Sequence, residues 1–264
     1  MSRGKNTSAR VRRRIARWIA PEVEAELRAT KRKLKKAREE KAYDLPEEVE
    51  TTIAQVRKEH LTYLKPDNLR ELAGSVLDLE KQGLDGVVIE AGTALGGSAI
   101  VMAAAKAPER PMKVYDVFGM IPPPSDQDGA DVHERYAKIT GGEARGPGGD
   151  TYYGYRDDLY TEVTESFARH GVPVTERGVE LIKGLFEDTI EGDEPVALAH
   201  LDGDWYESTM TCLTRIAPRL VSGGRIVLDD YYAWSGCRTA VDEYFKDRDG
   251  FRLQHGSRLH VIRN

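Results

Sequence analysis

The chain contains few cysteines and no long apolar run. Cys212 and Cys237 are the only cysteines in 264 residues, and neither lies at metal-ligand spacing from another Cys or a His, which argues against a disulfide framework or a zinc site. The apolar stretch at residues 15–20 is interrupted by Arg17 and closed by Pro21, so it predicts neither a signal-peptide core nor a membrane helix. We therefore expect a cytoplasmic protein that does not bind membranes.

Negative charge is scarce at the start of the sequence. Residues 1–40 contain fourteen Lys or Arg against five Glu, whereas the whole chain carries −5, which leaves −14 for residues 41–264. An acidic body repels phosphate backbones, so nucleic acid is not expected as a partner. Apolar residues make up 40% and charged residues 31% of the sequence, a balance typical of a globular enzyme.

The first third of the chain is predicted to be helical. Residues 21–42 are rich in Glu, Ala, Leu, Lys and Arg and lack Gly, which predicts an exposed helix suited to subunit contact, and therefore a homo-oligomer. Apolar residues at helical spacing predict two further helices, one after Pro46 and one ending near Gly83. We divide the chain into a helical N-terminal extension, residues 1–75, and a catalytic domain, residues 76–264.

From residue 86 onward, short apolar runs alternate with helical segments, which is typical of a parallel sheet covered by helices on both faces. Two closely spaced final runs predict an antiparallel terminal hairpin. The fold class is therefore α/β and Rossmann-like. The predicted strands are residues 86–90, 112–117, 179–184, 196–202, 225–229, 251–255 and 259–262.

One long segment, residues 121–151, interrupts this alternation. It contains three consecutive prolines and the stretch GGEARGPGGD, without a clear apolar period. A loop of this length inside a compact domain is usually a lid or a disordered insertion, and we favour a lid.

The loop after the first predicted strand is expected to bind an adenosine-containing cofactor. Glycines allow a sharp turn at the carboxyl end of a strand, and Asp116, at the end of the next strand, can accept hydrogen bonds from ribose hydroxyls. The spacing differs from the dinucleotide pattern, and Glu90 would repel a pyrophosphate but suits the cationic methionine end of S-adenosylmethionine. The residues expected at this site are Glu90, Gly92, Thr93, Gly97, Ser98 and Asp116.

Four aspartates follow two strands that should be neighbours. Asp202 and Asp204 follow the fourth strand, and Asp229 and Asp230 end the fifth. Carboxylates gathered at one edge repel each other unless a cation intervenes, and hard oxygen ligands favour Mg²⁺ or a similar divalent ion. We assign Asp202, Asp229 and Asp230 as metal ligands and Asp204 as the base. In the alternative interpretation these residues only form a turn and a helix cap.

Five sequence fragments resemble the macrocin O-methyltransferase family of antibiotic-sugar enzymes, and the last two are the most specific. They are Glu90–Gly92, Gly96–Ser98, Gly184–Thr189, Leu201–Thr209 and Gly223–Tyr231. The resemblance covers roughly residues 85–263. It implies a class I methyltransferase fold, S-adenosylmethionine, magnesium, and methylation of a deoxysugar hydroxyl in antibiotic biosynthesis. It also implies the metal and base roles given above, and it places Phe186, Asp188 and Asp202 beside the cofactor.

The resemblance leaves the acceptor open. Some family members act on sugars attached to a nucleoside diphosphate, so a TDP-deoxysugar such as TDP-rhamnose in an enediyne pathway is one hypothesis. Its pyrophosphate would need positive charge, which Arg135, Arg145 or Arg156 around the predicted lid, or the basic arm of a neighbouring subunit, can provide. In the alternative interpretation each of these arginines is a solvated surface charge. The acceptor is then a small sugar or a nucleotide sugar.

Three other functions remain open. A catechol-type O-methyltransferase would share the fold and the metal, and the aromatic residues near the aspartates suit a planar diol. A non-catalytic S-adenosylmethionine-binding assembly protein and a nicotinamide dehydrogenase are the others. His133 in the predicted lid is interpreted as a solvated side chain, and His200, two residues before Asp202, as a core histidine on the same strand face.

Overall fold

The structure, a computed structural model, describes residues 43–264. Residues 45–264 form one compact unit. The basic arm and the helix predicted over residues 21–42, with the subunit contact assigned to it, lie outside the described residues. The predicted division after residue 75 falls inside helix Pro66–Gln82, and it stays a prediction.

The described residues form a seven-stranded sheet with the order β3-β2-β1-β4-β5-β7-β6. Neighbouring strands from β3 to β5 are parallel, whereas β7 pairs antiparallel with both β5 and β6. The predicted Rossmann-like sheet and its terminal hairpin are therefore confirmed. The strands are β1 Val87–Ala91, β2 Met112–Asp116, β3 Val179–Lys183, β4 Val196–Leu201, β5 Leu220–Leu228, β6 Phe251–His255 and β7 Leu259–Arg263.

Helices cover both faces of the sheet. Every residue of β1 and β4 is buried, as expected for parallel strands between two helical layers. One apolar cluster joins a face of the sheet to helices Glu47–Lys58, Pro66–Gln82, Gly97–Ala105 and Leu159–Arg169. A second cluster joins the other face to helices Tyr206–Ile216 and Ser235–Phe245. No helix among residues 43–264 has the length and apolar character that crossing a membrane requires.

The register of the parallel strands brings three chain positions to one edge. Ala91 pairs with Leu201, and Leu201 pairs with Leu228. The next residue of each strand therefore lies at the carboxyl end of the sheet, where parallel α/β sheets bind ligands. Those residues are Gly92, Asp202 and Asp229.

The predicted lid is a folded insertion and contains helix Ala130–Thr140. Val132 and Ile139 on this helix are buried in a small cluster that also includes Ile121, Tyr152 and Trp205. The helical spacing of the apolar residues is present in the sequence, but it covers only three turns between a proline run and a glycine-rich stretch, which explains why the helix was not predicted. Two single turns follow at Pro147–Gly149 and Tyr153–Tyr155.

Candidate active site

The loop after β1 lies directly against the end of β4. Gly92 has a φ of +88°, and a Cβ added to it would lie 1.9 Å from the carbonyl oxygen of Asp202. The Asp202 amide donates a hydrogen bond to the Ala91 carbonyl oxygen at 2.9 Å. Glycine alone tolerates both this conformation and this close approach, so the glycine-rich loop and Asp202 are held side by side.

Asp116, at the end of β2, holds the same loop from its other side. One carboxylate oxygen accepts hydrogen bonds from the amides of Thr93 and Ala94 at 2.8 and 3.0 Å, and the other accepts one from the Phe118 amide at 2.7 Å. Burial raises the pKa of Asp116, and the three amides oppose that rise. The carboxylate therefore shapes the loop, and it also lines the adjoining cavity.

Glu90 is fully buried and has a partner on each carboxylate oxygen. Oε2 accepts a hydrogen bond from the Thr93 hydroxyl at 2.6 Å, and Oε1 lies 2.9 Å from Nδ1 of His200. His200 is 1% exposed, in agreement with its interpretation as a core histidine. Glu90 therefore contacts the glycine-rich loop after β1, which we call the donor loop, through Thr93, and it contacts strand β4 through His200.

A cavity of about 410 Å³ opens beside these residues, within the size range of small-molecule pockets. Four residues of the predicted donor site line it, namely Gly92, Asp116, Phe186 and Asp202. The insertion contributes Ile121, Pro122, Pro123, Ser125 and Asp128 to the lining of the cavity, and Tyr153, just after the insertion, lines it too.

The other predicted donor residues do not line this cavity. Thr93 contacts Glu90 and Asp116 behind the loop. Gly97 donates a backbone hydrogen bond to the Leu61 carbonyl at 2.9 Å, and Ser98 is buried in the first turn of helix Gly97–Ala105. Asp188 is exposed on the short helix that begins at Phe186.

Three of the four aspartates form a compact group at the edge of the cavity. One carboxylate oxygen from each of Asp202, Asp204 and Asp230 lies within 4.8 Å of the others, and we call these three residues the acid cluster. Asp204 adopts a left-handed conformation with a φ of +57°, and its amide donates a hydrogen bond to Asp230 Oδ2 at 3.0 Å. The chain turn after β4 is therefore folded back towards the end of β5.

The electrostatics of the acid cluster favour a bound cation. Burial raises the pKa of Asp202 and of Asp230 well above the usual range, and the neighbouring carboxylates raise both further. Burial also raises the pKa of Asp204 to about 7. Buried carboxylates that repel each other are stabilised by a divalent cation, and a set of hard oxygens is the donor set that Mg²⁺ prefers. The residues present therefore fit a magnesium ion.

Asp229 has a different environment from the acid cluster. Its carboxylate is bound by the guanidinium of Arg258, with Nη2 3.1 Å from Oδ2 and Nε against Oδ1. His200 Nε2 lies 3.9 Å from Oδ1, beyond hydrogen-bond distance. Burial alone would raise the pKa of Asp229, but His200 and Arg258 outweigh burial and lower it. The structure thus brings three predicted residues together and pairs the fourth with an arginine.

Arg135 of the insertion and the side chain of Trp234 lie near Asp204 of the acid cluster. The Arg135 guanidinium carbon lies 5.8 Å from the centre of the Tyr152 ring, and the charge of Arg135 opposes the rise in the pKa of Asp204. Trp205 and Trp234 pack edge to face with centroids 5.8 Å apart. This side of the site therefore combines flat apolar surfaces with one positive charge.

The remaining residues assigned to the predicted lid have other surroundings. Arg156 is paired with Glu162. Arg145 is exposed and donates to the carbonyl of Ala144. His133 is exposed on helix Ala130–Thr140, as expected for a solvated side chain.

Two residues near the site were not identified from the sequence. Arg258 follows the hairpin turn, and only the register of β7 against β5, which pairs Leu259 with Leu228, places it opposite Asp229. Asp128 accepts hydrogen bonds from the amides of Tyr206 and Ser125 at 2.8 and 2.9 Å. The bond from Tyr206 connects the insertion to helix Tyr206–Ile216, which begins two residues after Asp204. Neither position belongs to a recognisable motif.

Sequence comparisons identify the relatives of this chain. The macrocin O-methyltransferase (TylF) profile matches residues 149–252. The 8-demethyl-8-(2,3-dimethoxy-alpha-L-rhamnosyl)-tetracenomycin-C 4'-O-methyltransferase of Streptomyces olivaceus is 33% identical over 186 residues, which cover 67% of this chain and 64% of that protein. Mycinamicin III 3''-O-methyltransferase of Micromonospora griseorubida is 32% identical over 193 residues, which cover 70% of this chain and 68% of that protein. The chain belongs to the macrocin O-methyltransferase family.

A solved structure agrees with this membership. The O-methyltransferase NovP superposes with a TM-score of 0.63 at 25% identity, over 80% of this chain and 87% of NovP. The predicted class I methyltransferase fold is therefore confirmed. The match to the family profile contains all four aspartates, namely the acid cluster and Asp229. The motifs that carry the resemblance therefore lie at the carboxyl edge of the sheet described above.

Proposed function

We propose that this macrocin O-methyltransferase family member transfers a methyl group from S-adenosylmethionine to a sugar hydroxyl, with a divalent cation at the carboxylate edge. The observation that supports this most strongly is that Asp202 and Asp204 of the acid cluster line the same cavity as Gly92 and Asp116. A donor-binding loop and a cation-binding set thus share one wall. Methyl transfer requires the methyl donor and the acceptor hydroxyl to be bound close together, and a single cavity lined by both sets of residues suits this requirement.

For the methyl donor, we propose that Gly92, Asp116, Phe186 and Asp202 contact it in the cavity that they line. Thr93, Gly97 and Ser98 then shape the loop and the start of the following helix, and Glu90 supplies negative charge beneath the loop. Asp188, beside Phe186, borders the adenine end in this proposal. S-adenosylmethionine supplies a methyl group on a cationic sulfur, which suits an acidic pocket.

For the cation, we propose Asp202, Asp229 and Asp230 as ligands. Asp229 remains able to contribute because an ionised carboxylate has about four lone-pair sites, of which Arg258 occupies a part. A bound Mg²⁺ supplies positive charge that makes a nearby hydroxyl easier to deprotonate. Asp204, and not Asp229, completes the acid cluster as the structure has it. Asp229 follows β5 directly before Asp230, and its charge raises the pKa of Asp202, so in this proposal its carboxylate turns from Arg258 towards the ion.

Asp204 is proposed as the base. Without a bound ion, burial raises its pKa to about 7, and a nearby cation would lower this value, which keeps Asp204 ionised and able to accept a proton at neutral pH. In the transfer, the acceptor oxygen forms a bond to the methyl carbon as the carbon–sulfur bond breaks, and Asp204 receives the hydroxyl proton. Trp205 lines the cavity and packs against Trp234, and we propose that this apolar surface limits access of water to the reacting hydroxyl.

For the acceptor, we propose a deoxysugar, by analogy with the rhamnosyl compound named for the Streptomyces relative. Flat aromatic surfaces suit the apolar face of a sugar ring. Arg135 is the arginine of the insertion whose charge acts on Asp204, and it is the candidate for binding the pyrophosphate of a TDP-sugar.

An acceptor panel tests the proposal. The enzyme would be incubated with labelled S-adenosylmethionine and Mg²⁺, together with a TDP-deoxysugar, a matching glycoside or a catechol, and the products analysed by mass spectrometry. Methylation of either sugar and not of catechol supports the proposal. Exclusive methylation of catechol contradicts it, and exclusive use of the glycoside removes the nucleotide-sugar hypothesis.

A further inference from the structure

We propose that His200 is a positioning residue that couples the donor site to the cation site. This inference rests on the proposed function, because it assumes that both ligands bind where we place them. The imidazole lies between Glu90, beneath the donor loop, and Asp229, at the carboxylate edge. Binding at one site would then change the affinity at the other.

The contact on the donor side is direct and fully buried. Glu90 and His200 are paired residues of the parallel strands β1 and β4, with exposures of 0% and 1%. Nδ1 of His200 lies 2.9 Å from Glu90 Oε1, while the other Glu90 oxygen is held by the Thr93 hydroxyl at 2.6 Å. The Thr93 amide in turn donates to Asp116. The ring is thus two hydrogen bonds from the loop that lines the cavity.

The contact on the cation side is incomplete. Nε2 of His200 is buried and has no hydrogen-bond partner among the described residues, and Asp229 Oδ1 lies 3.9 Å away. A buried nitrogen without a partner is costly. A small movement of the Asp229 carboxylate would therefore complete or lengthen this contact, with Arg258 holding the carboxylate from the other side.

The rigidity of the imidazole converts these two contacts into coupling. Its two nitrogens are fixed relative to one another, so a shift of the ring towards Asp229 changes its contact with Glu90. Water cannot compensate because both carboxylates are largely buried, with side-chain exposures of 0% for Glu90 and 13% for Asp229. A ligand that repositions either carboxylate must therefore alter the other through His200.

His260 provides a matched control on the same face of the sheet. Val227 of β5 pairs with His200 on one side and with His260 of β7 on the other. His260 is 2% exposed, and its Nε2 lies 3.2 Å from Oε1 of Glu71 on helix Pro66–Gln82. It is therefore a buried histidine beside a carboxylate, as His200 is, but the carboxylate that it contacts belongs to Glu71 and not to Glu90 or Asp229.

Isothermal titration calorimetry tests the coupling. The Kd of Mg²⁺ would be measured with and without saturating S-adenosylhomocysteine, and the ratio of the two values is the coupling factor. We expect a factor of at least about five in the native protein, the lower end of typical couplings. His200→Leu should lower the ratio several-fold, leaving only the coupling through Asp202, which we place at both sites, whereas His260→Leu should leave the ratio at the native value.

A second variant keeps the test decisive if His200→Leu does not fold. In His200→Asn the amide can replace Nδ1 but does not reach the position of Nε2, so it should restore affinity for S-adenosylhomocysteine without restoring the coupling. A native ratio of one, or native coupling in either His200 variant, overturns the inference. Failure of the native protein to bind either ligand would instead contradict the proposed function, so the two failures are distinguishable.

Discussion

Replacement of Arg258 by Met tests whether the Arg258 guanidinium stabilises the buried, ionised carboxylate of Asp229. The pair is mostly buried, with side-chain exposures of 22% for Arg258 and 13% for Asp229. Breaking a fully buried pair costs about 3–5 kcal/mol and an exposed one about 0–1 kcal/mol. Because some exposure remains and His200 stays beside the carboxylate, we expect Arg258→Met to lower the free energy of unfolding by about 2–3 kcal/mol. For a domain of this size that corresponds to a fall in Tm of roughly 4–12 °C.

The pH dependence of this loss follows from the lowered pKa of Asp229. A carboxylate whose pKa is lower in the folded state stabilises the fold above its unfolded pKa, and this stabilisation is lost as the pH falls through the folded value. The difference between native protein and variant should therefore be complete at neutral pH and shrink below about pH 4, where the carboxyl is first protonated in the unfolded chain and, at still lower pH, in the folded protein.

Urea unfolding of the two proteins at several pH values, with EDTA present, provides the measurement. Arg252→Met is the matched control, since Arg252 is an exposed arginine of the same hairpin that contacts Gln254, and it should change stability little. A loss for Arg258→Met no larger than that of the control, or one that grows as the pH falls, would refute the reasoning.

Three further substitutions test other parts of the site. Gly92→Ala and Gly83→Ala both place a side chain at positive φ, but only the first meets a neighbouring backbone; we expect Gly92→Ala to cost about 1–3 kcal/mol more in thermal unfolding, and equal costs would contradict the close approach. Asp204→Asn should lower kcat by about 10²–10⁴ while calorimetry shows unchanged binding of S-adenosylhomocysteine; unchanged kcat would remove the assigned base. Asp128→Ala should lower the free energy of unfolding by about 1.5–3 kcal/mol, because the amide of Tyr206 loses its hydrogen-bond partner. It should also raise the KM for S-adenosylmethionine, and an unchanged KM would show that the insertion does not contribute to donor binding.

The sheet was predictable because its strands are continuous apolar runs separated by helices. β4 reads VALAHL and is buried throughout, and such a run bounded by polar residues has few alternatives to a central parallel strand. The hairpin Phe251–Arg263 followed from two runs separated by a short turn. Helix Ala130–Thr140 was missed because its stability comes from packing in the small cluster with Trp205, a contact between distant parts of the chain.

The site was predictable only as far as strand ends determine it. Parallel register places Asp202 beside the glycine-rich loop, and this follows from order along the chain. The departure of Asp229 towards Arg258 depends on the register of β7, which no local pattern fixes. The left-handed turn at Asp204, which brings that residue to Asp230, is likewise a result of tertiary contacts. The sequence therefore predicted that four aspartates lie at the carboxyl edge of the sheet. It did not predict that three of them form the acid cluster while Asp229 pairs with Arg258.

Methyl transfer after removal of metal tests whether carboxylates from two strand ends hold a cation beside the bound methyl donor. Native protein would be treated with EDTA, dialysed, and assayed with S-adenosylmethionine and an accepted sugar before and after addition of Mg²⁺, in parallel with Asp230→Asn. The control is Asp242→Asn, because Asp242 is an exposed aspartate on helix Ser235–Phe245, where it accepts a hydrogen bond from the Tyr231 hydroxyl. We expect EDTA to abolish methyl transfer. Added Mg²⁺ should restore transfer in native protein and in Asp242→Asn, whereas Asp230→Asn should stay inactive. Full activity after metal removal, or native activity in Asp230→Asn, would contradict the account.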